Sequence, residues 1–372
     1  MNFNLSEERQ ILQNSVVRFV ADHYELEARQ KYAAKPQGFN RDLWQTMADL
    51  GWLGLSVPES DGGFGGNQID TMLLMEEFGK GLVVEPYLAS IVLGARALTM
   101  AGSEAQRTRL LPGVIDGSVQ LAFAYAEEQA RFDLEDVVTT AKTEADGFSI
   151  SGRKSMVQNG ASADHIIFSA RTAGGQTDTS GISLFIVPQG AEGLTITGFP
   201  TVDGLQAAEV EFDNVRDVEL LGELHQGYDV LSAVAMDGIL AICAEAVGAM
   251  EVLYKDTVAY TQQREQFDHP LSDFQVLQHR MVDMFMEYEQ ARSLLYRATL
   301  ETAQQGPEAM RTVHALKHFI GKTGIMIGEN AVQLHGGMGM TEELRIGHYF
   351  KRLLVIDAQF GNADHHLQKF AA

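Results

Sequence analysis

The chain has 372 residues, more than one compact core accommodates, and its length predicts two or three packed regions. Apolar residues make up 45% and charged residues 21%, the balance of a globular protein rather than a disordered one. A formal net charge of −22 argues against sequence-blind binding to nucleic acid or anionic lipid, but leaves room for a small anion held by one or two arginines and backbone N–H groups.

No run reaches the roughly 20 uninterrupted apolar residues of a membrane helix, so no membrane insertion is expected. The N-terminal stretch Met1 to Val16 is acidic and polar where a signal peptide would be basic and then apolar. A single cysteine, Cys243, excludes an intramolecular disulfide, fits a reducing compartment and reads as a small buried hydrophobe. A cytoplasmic location is expected.

Residues 1–117 predict a helical domain. Ser6 caps an amphipathic run, and Arg41 to Leu50, Met72 to Phe78 and Gln106 to Val114 carry apolar positions three and four apart. Between them Val57 to Gly66 is a glycine-rich loop, which follows no strand, carries no P-loop lysine and is a weak phosphate cradle. Residues 118–222 predict a small antiparallel β domain, a barrel or sandwich. Its strands are Gly147 to Gly152, His165 to Ser169, Ile182 to Val187, Leu194 to Ile196 and Glu209 to Phe212, short runs divided by turn residues. Residues 223–372 return to a helical period, with Ala241 to Gln262 and Leu271 to Gln305 as long helices of an antiparallel four-helix bundle. The fold class is α+β.

Two stretches carry candidate chemistry. Gln262 to Phe267 ends a helix and is followed by Pro270-Leu271 and Phe274-Gln275; Gln333 to Thr341 carries three glycines after a helix. Singly, a helix-end arginine completes the macrodipole and a glycine cluster is a C-cap. Together, the glycines would let backbone N–H groups approach a diphosphate while Arg264 supplies charge.

With both stretches in this domain order, the chain resembles the acyl-CoA dehydrogenases over essentially its whole length. Arg264 to Gln275 matches the family's R-x-x-F-x-x-P-[LI]-x-x-[FH]-Q block, and Gln333 to Gly339 its Q-x-x-G-G-x-G block. Glu211 to Val215 and Lys154 to Gly160 match two further phrases, the second against K-x-W-I-T-N-G. The resemblance implies FAD held between subunits that pair through the bundle. Arg264 and Phe267 would reach the diphosphate and adenine part of a FAD lying mostly in the neighbouring subunit, Gln333, Gly336 and Gly337 would contact the diphosphate end, and Gln275 would sit near the same cofactor. It further implies that the flavin sits between β domain and bundle, that the substrate is an acyl-CoA whose α-proton leaves to a carboxylate, and that electron-transfer flavoprotein accepts the electrons.

Departures from the family are specific. Its T-E-P-x-A-G-S-D phrase reads Ala126 to Asp133 here, so Ala126 replaces a flavin-bonding threonine; Met156 and Gln158 replace the tryptophan and threonine that cover the flavin ring. Backbone contacts survive such changes, and Gln158 retains an amide. The catalytic glutamate of the family's Y-E-G-T phrase is Phe360 here, within Gln359 to Asn362. The alternative family position, counted back without gaps from Arg264, is Gly238, followed by Ile239. Asp237 adjoins it. One residue turns a helix by about 100°, so Asp237 acts as base only if a start-of-helix irregularity brings it round; otherwise it is an N-terminal helix charge.

No metal is expected. Asp364, His365 and His366 diverge as sequence neighbours, and His314 and His318 have no H-E-x-x-H glutamate between them and read as exposed helix histidines. Three functions follow: a stand-alone FAD-dependent dehydrogenase with Asp237 as base, one half of a heteromeric (heterotetrameric) dehydrogenase whose paralogous partner carries the glutamate, or a non-enzymatic acyl-CoA or flavin scaffold. The heteromeric reading explains both missing glutamates. The phrases Tyr125 to Val137 and His348 to Leu367 resemble small subunits of pimeloyl-CoA dehydrogenases and the paired steroid-degradation dehydrogenases.

Overall fold

A computed structural model describes residues 5–372. Four helices come first: α1 (Glu7–His23), α2 (Leu26–Ala33), α3 (Arg41–Asp49) and α4 (Gln68–Gly81). A π-helical stretch, Leu88–Ala95, runs into α5 (Arg96–Ala101), and α6 (Glu104–Ile115) follows. The strands are β1 (Leu121–Ala124), β2 (Thr140–Glu144), β3 (Gly147–Gln158), β4 (His165–Arg171), β5 (Ile182–Pro188), β6 (Leu194–Pro200), β7 (Gln206–Val215) and β8 (Glu219–Leu221). Then come α7 (Tyr228–Gln263), a hairpin of β9 (Glu265–Gln266) and β10 (His269–Pro270), α8 (Gln275–Ala303), α9 (Ala309–His335), α10 (Arg345–Ala358) and α11 (Ala363–Ala371). Helices, β domain and helical domain follow in the expected order. The chain divides into two compact units, one of residues 5–31, 68–83 and 239–372, the other of residues 32–67 and 84–238.

Caps explain several helix starts. Ser6 accepts from Arg9 N–H at α1, and Ser103 and Gln106 form a reciprocal capping box at α6. The glycine-rich loop spends its amides on itself: Gly63, Phe64, Gly65 and Gly66 N–H donate to Pro58, Gly54, Val57 and Leu55 carbonyls. Those N–H groups are therefore not presented to a phosphate.

In the second unit the sheet order is β6-β7-β3-β2-β4-β5-β8, with β1 pairing β4. The strands read from sequence are all present, and β1, β2 and β8 are additional. The sheet is mixed rather than antiparallel: β1 runs parallel to β4 from Leu121↔His165 to Ala124↔Phe168, and Thr140 of β2 pairs parallel with Arg171. A strand entering from a helix is not bound to hairpin geometry, so β1 can pair parallel. Its core stacks Phe168 on Phe212 at 4.5 Å and on Phe185 at 5.7 Å, among Ile150, Ile166, Val187 and Val210.

In the first unit the part of α7 from Ile239 onward forms the core. The whole helix is long and apolar enough to cross a membrane by composition, yet most of that stretch is buried within the protein. Cys243 lies there fully buried, and burial pushes its thiol up to about 12. Helices α4 and α7 cross backbone against backbone: a Cβ on Gly79 would overlap the Glu245 carbonyl, and one on Gly248 the Glu76 carbonyl. Backbone cannot yield as a flexible side chain does. Gly248→Ala should therefore cost about 3 kcal/mol or more of stability, at the upper end of overpacking effects, when measured by denaturant unfolding.

Candidate functional site

The two candidate stretches of the helical unit converge. Tyr260, one turn before the end of α7, stacks on His335, the last residue of α9, with ring centroids 4.3 Å apart. This contact sets Arg264 and Gly336 at neighbouring helix ends. Arg264 N–H closes the final turn on the Tyr260 carbonyl at 2.8 Å, and its side chain is exposed. The following hairpin turns through Phe267 and Asp268, with φ of 56° and 62°, the pair of left-handed residues of a type I′ turn. Such turns favour glycine and asparagine, yet Phe267 sits at the tip 85% exposed, a strained placement of an apolar ring of the kind found at ligand clamps.

Gly336 ends α9 with φ +60°, and a Cβ at Gly336 or Gly337 would meet nothing within 4 Å. Their backbone thus faces open space, beside exposed Gln333. Gln275 is exposed at the first turn of α8. An outward-facing guanidinium, bare glycine backbone and an open aromatic fit the expected FAD diphosphate and adenine by their donor chemistry.

The flavin-ring candidates lie in the β domain. Ala126 follows β1, and its carbonyl accepts from Ser155 N–H at 2.9 Å. Met156 is 53% exposed with φ of 53°, at a bulge where the register of β3 on β7 slips between Lys154 and Val157. Gln158 re-enters the ladder opposite Ala207. Beneath these residues is an ion pair that sequence reasoning quoted but gave no role. Lys154 has no solvent exposure, and its Nζ donates to Glu127 Oε1 at 2.7 Å and Ser169 Oγ at 2.9 Å. Glu127 also accepts from the N–H groups of Val138 at 2.8 Å and Thr139 at 3.2 Å. Burial alone would raise the Glu127 carboxyl, but the Lys154 charge and these donors outweigh it and hold it below its usual value. Burial lowers Lys154, and Glu127 opposes that shift. Its sequence neighbours Arg153 and Ser155 are polar, so nothing local marked Lys154 as buried.

At the first base position the turn after α10 presents Phe360, with φ of 57°, followed by Gly361 at φ 111°. Three basic side chains fix this turn. Lys317 of α9, fully buried, donates to the Asp357 carbonyl at 2.9 Å and the Gly361 carbonyl at 2.6 Å. His366 Nε2 lies 3.0 Å from the Phe360 carbonyl, and His366 Nδ1 lies 2.9 Å from His314 Nδ1. A carbonyl only accepts, so His366 Nε2 carries the proton; its Nδ1 then accepts from His314 Nδ1–H. Burial pushes His366 down to about 3, which keeps that ring neutral.

At the second position Gly238 is buried within α7. Asp237 lies more than two turns after Tyr228, in regular helix, so neither a start-of-helix irregularity nor an N-terminal charge describes it. Its Oδ2 accepts instead from Arg96 Nε at 2.8 Å.

The histidines are engaged structurally. His318 Nδ1 is 2.8 Å from the Ala363 carbonyl and His314 reaches His366, so both are half-buried rather than exposed as the sequence predicts. Asp364 pairs with Lys322 at 3.4 Å, and no group of three or more potential metal ligands occurs among the described residues.

Three family models cover nearly the whole chain: the acyl-CoA dehydrogenase N-terminal domain over residues 6–118, the middle domain over 122–215 and the C-terminal domain over 225–372. The probable acyl-CoA dehydrogenase YngJ of Bacillus subtilis (strain 168) is 31% identical over 350 residues, 92% of this chain and 91% of that protein. Among solved structures, a variant of the steroid ACAD Tcur3481-Tcur3483 is similar with a TM-score of 0.88 at 28% identity, covering 98% of this chain and 97% of its own. The ChsE4-ChsE5 complex from Mycobacterium tuberculosis matches with a TM-score of 0.89 at 25% identity, covering 100% and 98%.

The buried pair under the Ala126 and Met156 segments yields a stability prediction. Lys154→Met leaves Glu127 buried without its cation and should cost about 3–5 kcal/mol. Removing both charges, Lys154→Met with Glu127→Leu, should restore part of that loss. Urea unfolding of the three proteins measures both effects.

Proposed function

We propose, for a chain that belongs to the acyl-CoA dehydrogenase family, that it is one subunit of a heteromeric dehydrogenase whose paralogous partner carries the catalytic carboxylate. The family consists of flavin-dependent oxidoreductases acting on the CH–CH bond of acyl-CoA thioesters, and the cofactor is FAD. When bound, FAD supplies a hydride acceptor at flavin N5 for the substrate β-carbon. The base must come from protein.

The observation that carries the proposal is the side-chain chemistry at the two base positions. Abstraction of an α-proton needs an acceptor within about 2.6–3.2 Å, directly or through one water. Phe360 has no acceptor and Gly238 no side chain. A homo-oligomer repeats both deficits in every copy, whereas a paralogue can complete the site. Val276, Val282, Phe285 and Met286 along α8 are each 45–67% exposed, an apolar stripe of the sort that subunits cover.

In this reading Arg264, Phe267, Gln275, Gln333, Gly336 and Gly337 hold the diphosphate and adenine of FAD, and Ala126, Met156 and Gln158 border its ring. The substrate is an acyl-CoA, electron-transfer flavoprotein receives the electrons, and the complex works in the cytoplasm. A second reading, a stand-alone enzyme with Asp237 as base, is favoured by one feature: a carboxylate adjoins the base position and Arg96 holds it in place.

Arg264→Ala should weaken FAD binding by about 1.5–3 kcal/mol, the range for hydrogen bonds to charged groups. Titration of apoprotein followed by visible absorbance measures it, and an unchanged dissociation constant in a folded variant places the diphosphate elsewhere. Turnover with an artificial electron acceptor separates the two readings. The isolated chain should be nearly inactive and the co-expressed pair active, with Asp237→Asn leaving the pair unaffected. Brisk turnover by the isolated chain, lost in Asp237→Asn with FAD retained, makes Asp237 the base. A complex that stays colourless after FAD addition supports only the scaffold function.

A further inference from the structure

The stretch that carries the open glycine backbone is fastened to α7 at both of its ends. At its entry His335 stacks on Tyr260, with ring centroids 4.3 Å apart. At its exit Arg345, the first residue of α10, donates twice to Asp256 of α7, from Nε to Oδ2 at 2.6 Å and from Nη2 to Oδ1 at 2.7 Å. Asp256, Tyr260 and Arg264 follow one another at four-residue spacing, and side chains so spaced lie along one side of a helix. The side of α7 that ends in the candidate diphosphate arginine therefore also holds the glycine stretch on either side of Gly336 and Gly337.

Between these two contacts the stretch folds tightly onto its own supports. A Cβ on Gly339 would lie 2.8 Å from the Val332 carbonyl oxygen, and one on Gly347 would lie 3.2 Å from the Gly339 oxygen. Thr341 donates to the Met338 carbonyl twice, from N–H at 3.2 Å and from Oγ1 at 3.0 Å. A turn this stiff is placed relative to Arg264 by whatever holds its ends. Arg345 is an unusual residue for that task. The first turn of a helix favours acidic side chains and disfavours cations, yet α10 opens on an arginine and has no acidic residue in its first turn. The pair adds little to folding either, because its side chains are 48% and 26% exposed and ion pairs this open to water are weak. What a bidentate guanidinium–carboxylate pair supplies is geometry, since two parallel bonds fix both distance and angle.

We propose that Asp256 and Arg345 are positioning residues of the cofactor site, whose pair holds the Gly336–Gly337 backbone at the separation from Arg264 at which both engage one diphosphate. The two residues act through the groups they place and not by touching the ligand. A binding constellation has to be held to within about 0.5 Å, and here its halves come from the ends of different helices. Tyr260 and His335 fix one end of the glycine stretch, and without the ion pair its other end is free to swing about that stack. The inference rests on the reading of Arg264 and the glycine turn as the FAD diphosphate site.

The test measures the FAD dissociation constant of the co-expressed complex by ultrafiltration, alongside its urea unfolding midpoint. Asp256→Asn and Arg345→Gln should each weaken FAD binding about tenfold, the lower end for residues that orient a ligand's direct contacts, with the midpoint close to wild type. Arg345→Lys keeps the charge but not the paired bonds, and should fall between wild type and Arg345→Gln. A second comparison separates positioning from general loosening of the fold. If the pair acts by placing the turn against Arg264, Asp256→Asn should cost about threefold or less in an Arg264→Ala background, because coupled sites are not additive. A full tenfold loss in that background overturns the proposal. So does an unchanged dissociation constant in Asp256→Asn and Arg345→Gln while Arg264→Ala still weakens FAD. Loss of the fold in all three ion-pair variants makes the pair structural and also overturns it. Arg264→Ala without effect on FAD overturns it together with the diphosphate reading.

Discussion

An ammonium group removed from water must be surrounded by oxygen, and two fully buried lysines impose that demand on the segments that matter most. Lys154 recruits Glu127 and Ser169, and Glu127 in turn gathers the N–H groups of Val138 and Thr139. The loop from Ala126 to Thr139 is thereby fastened to β3, with Ala126 on one side of the pair and Met156 on the other. Lys317 draws the carbonyls of Asp357 and Gly361 around itself. That requirement bends the chain so that Phe360 adopts a left-handed backbone, completed by the neutral pair His366 and His314. Such turns are over-determined, as strained segments at functional positions have to be.

How much of this could be read in advance differs from element to element. Helices and strands were legible because their signals are local: Ser6 before an amphipathic run, or alternation in Ile182 to Val187, depends on no distant residue. The parallel pairing of β1 was not, because Leu121 to Ala124 is four residues long and its partner lies some forty residues on. The π-helical stretch was also silent, since Leu88 to Ala95 is apolar except for Ser90 and shows no period to distinguish it.

For the candidate site, the sequence singled out Arg264 and the glycine turn as two motifs, but the Tyr260–His335 stack that sets their helix ends side by side was not legible in it. The histidines near the C-terminus read as solvated helix residues because spacing says nothing about what packs against a face. Asp237 read as a helix-start charge because the sequence puts no capping residue at Tyr228, leaving the start of α7 unmarked; its partner Arg96 lies 141 residues away.

The central claim is that this chain is organised for its cofactor and lacks only a base. The direct measurement is turnover by the isolated chain carrying Phe360→Glu, loaded with FAD and assayed with acyl-CoA and an artificial acceptor. The left-handed turn already holds a non-glycine residue, so glutamate enters without new backbone strain. A positioned general base contributes roughly 10²–10⁴-fold, and a gain of that order over the wild-type chain is the predicted result. A wild-type chain that is already fully active alone, with Phe360→Glu adding nothing, would contradict the account.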